Sequence, residues 1–309
     1  MKRTLLLALA LPALAGPSLA QTRAPFTVAE TGESFGRLQE AVNAIGAGDG
    51  TILIAPGRYR DCAVQLDGRI AFKAESRGTA VFESAICEDK ATLVLRGRAS
   101  HVEGLVFTRT FVPDGNGAGI RMEKGDLTVA WTMFRDGQCG ILSANDLESS
   151  ITIEHSTFSG LGKHPDGHGA HALYVGEYGR LKVANSRFER GTGGHYLKTR
   201  SPRLEVLDTS FDDSGGRTTN YMIDVSVGAT GRIAGNTFVQ GTGKENYSTL
   251  IAVSPEGKAN DVRGLTIENN TVSLAPGAKP TNFVGNWSGE SILLRGNRLG
   301  PNITLTANH

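Results

Sequence analysis

Along most of this chain the apolar residues come in short runs that alternate with polar ones and are broken by glycine, as in Gly119-Ile120-Arg121-Met122, Ala172-Leu173-Tyr174-Val175 and Met222-Ile223-Asp224-Val225. A helix face would need apolar residues at i, i+3, i+4 and i+7, so these runs predict strands. A phrase ending in a large apolar residue after a polar pair returns seven times: Trp131-Thr132-Met133-Phe134, His155-Ser156-Thr157-Phe158, Asn185-Ser186-Arg187-Phe188, Asp208-Thr209-Ser210-Phe211, Gly235-Asn236-Thr237-Phe238, Asn269-Asn270-Thr271-Val272 and Gly296-Asn297-Arg298-Leu299. Its last residues are 24, 30, 23, 27, 34 and 27 positions apart, a repeat with loops of variable length. A second strand, such as Ile151-Thr152-Ile153 or Leu204-Glu205-Val206, runs directly into each phrase. Each unit therefore reads as one coil of strands. Stacking coils about 4.8 Å apart builds a continuous core from the inward Ile, Leu and Phe and leaves Asn and Ser at the turns.

This pattern resembles the right-handed parallel β-helix superfamily, which includes pectate, alginate and chondroitin lyases, over roughly residues 27 to 305. The implied fold is an all-β solenoid. Phe35, Leu38, Ala41, Val42 and Ile45 share one face of a short helix, stopped by Gly46-Ala47-Gly48-Asp49-Gly50, which is expected to cap the open apolar end of the solenoid.

Lys2 and Arg3, an apolar run from Leu5 to Ala15 and the small-residue site Ser18-Leu19-Ala20 read as a secretory signal peptide over residues 1–20, too short for a membrane span. Residues 21–309 then form one β-helix domain, exported to the periplasm or the extracellular space, with a monomer as the simplest expectation. Removing the leader takes two of the 32 basic residues and none of the 31 acidic ones, so the formal charge moves from +1 to −1. No bulk charge argues for nucleic acid; attraction for an acidic polymer must come from a local patch. Of three cysteines, Cys62 and Cys87 fall about one coil apart and suit a disulfide in an oxidising compartment, while Cys139 reads as a buried apolar residue.

Chemistry is expected where outward side chains of successive coils converge. With Ile120, Leu173, Leu197 and Ile223 inward, alternation sends Arg121, Tyr174, Lys198 and Asp224 outward in one column and Glu123, Gly176, Arg200 and Ser226 in the next. His171, His195 and Tyr221 share a third register at the strand start, where parity points inward but the edge position leaves either direction open. The loop carrying His164, Asp166 and His168 lies beside them, and its spacing is a weak metal signal. Tyr196 is assigned to the outward side as a sugar platform. Tyr221, Asp224, Arg121 and His168 join it as candidate substrate contacts.

His195-Tyr196-Leu197-Lys198-Thr199-Arg200-Ser201, followed by Asp208-Thr209-Ser210-Phe211, resembles the Lys-Ser strand, turn and Asn-x-Phe of alginate and chondroitin B lyases. That resemblance implies Lys198 as the base. It also implies an arginine on the next coil, where this chain has Asp224, and acidic calcium ligands, for which no clear set exists. No cofactor is therefore assigned. Cleaving a uronate chain by β-elimination removes the C5 proton, so it needs a cation on the carboxylate, a base at C5 and a proton for the leaving oxygen. The expected roles are Arg200 on the carboxylate, Lys198 as base, and Tyr174 or His195 as acid, with His171 beside them. The expected partner is an acidic polysaccharide or oligosaccharide. Glycoside hydrolysis through Asp224 with Glu189 or Asp212, C5 epimerisation, and polysaccharide binding without catalysis stay open as alternatives.

Overall fold

The computed structural model describes residues 24–163 and 170–309. The leader expected at 1–20 and the loop with His164, Asp166 and His168 lie outside these residues.

Among the described residues the strands form one twelve-stranded and two ten-stranded sheets, and once the first coil has begun the chain returns to the same sheet every third strand. Asp126–Ala130, Asp146–Glu154, Tyr178–Ala184, Arg203–Leu207 and Thr230–Ala234 illustrate this, pairing in parallel order along the first sheet. The protein is a parallel β-helix. Each coil has three strands, one more than the sequence reading had distinguished. The recurring phrase itself turns the corner and supplies the extra one, as in Met133–Arg135, Thr157–Ser159 and Arg187–Glu189 on the second sheet.

The phrase folds this way because each of its positions has one job. Its first residue adopts a left-handed conformation, with φ between +49° and +70° at Trp131, His155, Asn185, Asp208, Gly235, Asn269 and Gly296, and Gly104 turns the same corner one coil earlier at +74°. Its second residue points inward and accepts the backbone N–H of the coil before it: Thr209 N–H donates to Asn236 Oδ1 at 2.9 Å, and Asn236 N–H to Asn270 Oδ1 at 2.9 Å. Its last residue enters the core. Phe82, Phe107, Phe134, Phe158, Phe188, Phe211 and Phe238 stack with centroids 4.6 to 5.8 Å apart, none more than 1% exposed. Burying such rings in register is the dominant favourable contribution to the stack.

The cap is larger than expected. Leu38–Ile45 is the helix, with Leu38, Ala41 and Val42 buried, but Phe35 belongs to the strand Ser34–Phe35. That strand pairs antiparallel with Phe26–Val28, which pairs antiparallel with Asp49–Ile54 of the first coil. Helix and strands together cover the apolar end. Cys62 and Cys87 form a disulfide joining consecutive coils, and Cys139 is buried, which pushes its thiol up to about 12. Among the described residues no helix is long and apolar enough to cross a membrane.

Candidate functional site

On the third sheet, Leu173–Val175, Leu197–Thr199 and Ile223–Val225 pair in register, placing Tyr174, Lys198 and Asp224 in one outward column. The column continues through Ala252 and Gly285. Lys198 Nζ lies 3.2 Å from Asp224 Oδ2, and His195 Nε2 lies 3.4 Å from the same oxygen. Lys198 also contacts Glu256 Oε1, while Arg200 binds Oε2 of that carboxylate. Both cations sit over the Tyr174 ring, at 5.7 and 5.4 Å from its centroid.

Although outward, Lys198 and Asp224 are almost fully buried. Burial works against the Lys198 ammonium, but Asp224 and Glu256 outweigh it and hold its pKa above the ordinary lysine range. Burial raises Asp224 against the pull of Lys198, and the two form an ammonium–carboxylate pair. Glu256 is held below its usual range: burial opposes this, and Lys198 and Arg200 prevail.

The third register faces the same groove. Tyr221 N–H donates to His195 Nδ1 at 3.1 Å, and His195 N–H donates to His171 Nδ1 at 3.0 Å. Each neutral imidazole therefore carries its proton on Nε2, and that of His195 faces Asp224. Burial, then neighbouring cationic groups, depresses both rings, His171 to about 3 and His195 well below its usual value. The rings of His171, His195 and Tyr221 stack at 4.7 and 5.2 Å. Trp287 closes this end, 6.4 Å from Tyr221 and packed over Gly285, where a Cβ would lie 2.6 Å from the indole. Only glycine fits beneath it.

Several expectations need correction. Tyr196 points into the core, 1% exposed, accepting the Gly191 N–H at 2.9 Å and donating to Asp213 Oδ1 at 2.7 Å, so it offers no sugar platform. Parity counting fails there because the chain is rounding a corner. The two residues on either side of the bend, Tyr196 with Leu197 and Met222 with Ile223, both face inward. Arg121 is separated from Tyr174 by Leu142 in the column, yet lines one cavity of about 440 Å³ with Tyr174, Lys90, Asp114 and Asn116. It makes no ion pair with the Lys198 cluster and reaches it only through the cavity shared with Tyr174. Glu189 and Asp212 lie on the second sheet, paired with each other in register, and so cannot partner Asp224 on the third. His168 lies outside the described residues.

Glu256 was missed. It lies in the loop after Thr249–Val253, its N–H bonded to Ser226 O at 2.9 Å, and Asn260 ties the same loop to Arg200 O at 3.1 Å. Ser254-Pro255-Glu256-Gly257 reads only as a turn. Among the described residues no three His, Cys, Asp or Glu side chains converge as a metal site.

Compared by sequence, the chain matches no family model and no curated protein. By structure it is similar to a pectin methylesterase from Aspergillus niger, at 11% identity and a TM-score of 0.52, over 95% of this chain and 91% of the other. It is similar to a PL6 family alginate lyase at 15% identity and the same TM-score, over 81% of this chain. It spans only 36% of that lyase. These likenesses concern the β-helix fold.

Proposed function

We propose that this chain is an exported enzyme that cleaves a uronate-containing polysaccharide by β-elimination. The observation that carries the reading is the clamp of Lys198 and Arg200 on a single carboxylate, that of Glu256, above the Tyr174 ring. A sugar carboxylate entering the groove takes the place of Glu256 on Arg200, and the cation stabilises the charge that develops as C5 loses its proton. With Glu256 displaced, Lys198 loses one of the two anions that raise it, which brings the neutral amine that accepts the C5 proton closer to reach. The C5 electron pair forms the C4=C5 double bond as the C4–O bond breaks. Tyr174, partly exposed in the groove, donates its hydroxyl proton to the leaving oxygen and is reprotonated from Lys198. His195 is the weaker candidate for that acid, because its Nε2 proton is directed to Asp224.

Fold likeness to an alginate lyase supports polysaccharide chemistry at this site in general terms. The hydrolase reading is disfavoured because Asp224, 1% exposed and paired, presents no carboxylate to a glycosidic bond. The test is ultraviolet absorbance on mixing the mature protein with alginate, polygalacturonate and chondroitin sulfate, with and without chelator. A rise from unsaturated uronyl ends supports the lyase. New reducing ends without a rise overturn it in favour of hydrolysis, and folded protein giving neither signal overturns enzymatic cleavage of these polymers.

A further inference from the structure

The corner between the first and second sheets is turned in eight successive coils by one left-handed residue. Six of the eight are Gly, Asn or Asp, which adopt that conformation easily. Trp131 and His155 are the exceptions, at φ +53° and +50°. Histidine tolerates that conformation much as Asn and Asp do, but for the bulky Trp131 it costs on the order of 1 kcal/mol. Burial does not offset this, since Trp131 is 43% exposed. What the two residues build is a wall. Their rings stack at 4.2 Å and 7°, and the Arg77 guanidinium lies 4.2 Å from the other face of the indole. Arg77 runs over Gly104, where a Cβ would sit 3.1 Å from its Cγ.

The wall borders a groove. Met133 and Arg135 project from the strand Met133–Arg135 with Phe134 inward, and they line the groove together with Trp131 at the corner. Across the coils, Val81, Val106, Met133 and Thr157 align in register as a largely apolar floor. Three coil spacings give it a length of about 14 Å. The open groove has a volume of about 350 Å³. Two arginines, Arg77 and Arg135, line it, and no carboxylate among the described residues does. Arg77 shares Glu103 with Lys73, Glu83 is held by both Arg58 and Arg109, and Arg135 Nε has no hydrogen-bond partner.

We propose that this groove is a second carbohydrate-binding site, on a different sheet from the Lys198 cluster, that holds an acidic polysaccharide. The C–H face of a sugar rests on Val106 and Met133 against the edge of Trp131, and its carboxylate is taken by Arg77 and Arg135. The polymer class is the one argued for the Lys198 site, while the groove stands on its own geometry. Such a site holds the polymer on the enzyme and raises its local concentration at the other groove.

The test uses affinity electrophoresis of the full-length mature protein through gels containing polygalacturonate, alginate or neutral hydroxyethyl cellulose. Arg200→Ala serves as the parent, so that retention does not come from the catalytic groove. The double variant Trp131→Asn, His155→Asn installs the residue found at position 185 and relieves the backbone, so its Tm should equal or exceed that of the parent. The expected result is retardation of the parent by at least one acidic polymer and about fivefold weaker affinity in the double variant and in Arg135→Gln. Equal retardation of parent and double variant overturns the proposal, as does no retardation, or retardation as strong in the neutral gel. The absorbance assay, run separately with Arg200 intact, separates the two readings. Retardation without unsaturated ends sinks the lyase and leaves this site standing. Cleavage of short oligosaccharides by the double variant should match that of the native sequence.

Discussion

Lys198 and Asp224 stand one coil apart with Nζ and Oδ2 at 3.2 Å, and only 8% and 2% of their side chains reach solvent. The pair therefore has a structural consequence as well as a catalytic one. Lys198→Ala leaves a buried carboxylate uncompensated and should cost about 3–5 kcal/mol, so its inactivity alone would say little about chemistry. Lys198→Arg keeps a cation on Asp224 but cannot yield a proton-accepting amine. It should unfold within a few degrees of the native sequence by calorimetry and lose about 100-fold or more in kcat. An active, stable Lys198→Arg variant rules Lys198 out as the base.

The pH profile follows from the same pair. Because the folded pKa of Lys198 is raised, the stabilisation it provides is present below the ordinary lysine range and is lost as pH rises through the folded value. The base, by contrast, works only when neutral. Uronyl-end formation should rise about tenfold per pH unit through the range 7 to 9, with no plateau near neutrality. A flat profile across that range points to a different base.

Glu256 competes with the substrate in this scheme. Glu256→Gln frees Arg200 and removes one of the two anions that raise Lys198. KM for a uronate oligosaccharide should fall about fivefold, and the alkaline limb of the profile should move to lower pH. A rise in KM would instead make Glu256 a substrate contact.

The two stacked imidazoles are neutral in the folded protein, with Nδ1 already accepting a backbone N–H. Below about pH 6.5 the unfolded chain takes up protons that these rings refuse, so stability falls with falling pH, by up to about 1.4 kcal/mol per unit for each ring. His195→Asn retains an acceptor near the Nδ1 position and does not titrate. It should make Tm less dependent on pH between 6.5 and 4.5; an unchanged slope assigns the acid sensitivity to other groups.

Phe188 is fully buried between Phe158 and Phe211, at 4.6 and 4.9 Å. Phe188→Ala should lower stability by about 3–5 kcal/mol in denaturant unfolding, and Phe188→Leu by considerably less. The ladder has no slack for collapse, because coils on both sides hold the backbone apart.

The aromatic ladder and the column Tyr174, Lys198, Asp224 were legible because both depend on strand parity, which holds wherever the chain is straight. Tyr196 was misread where the chain bends. Glu256 was illegible for another reason: it is 58 residues from Lys198 and 56 from Arg200, in a loop with no period to locate it. The third strand of each coil was hidden inside a phrase that looked like a turn. Antiparallel pairing of Phe26–Val28 also had no local signature, since the apolar pattern of three residues fits either direction.

Parallel stacking also turns the outer face of the third sheet into a grid. Neighbours along a strand, such as Lys198 and Arg200, are about 6.6 Å apart, while neighbours across coils, such as Lys198 and Asp224, are about 4.8 Å apart. A charged polymer laid on that grid is measured against two fixed rulers. Exchanging residues between grid points, for example a cation moved from position 198 to 224, shifts the preferred charge spacing by a known step while the backbone stays as it is.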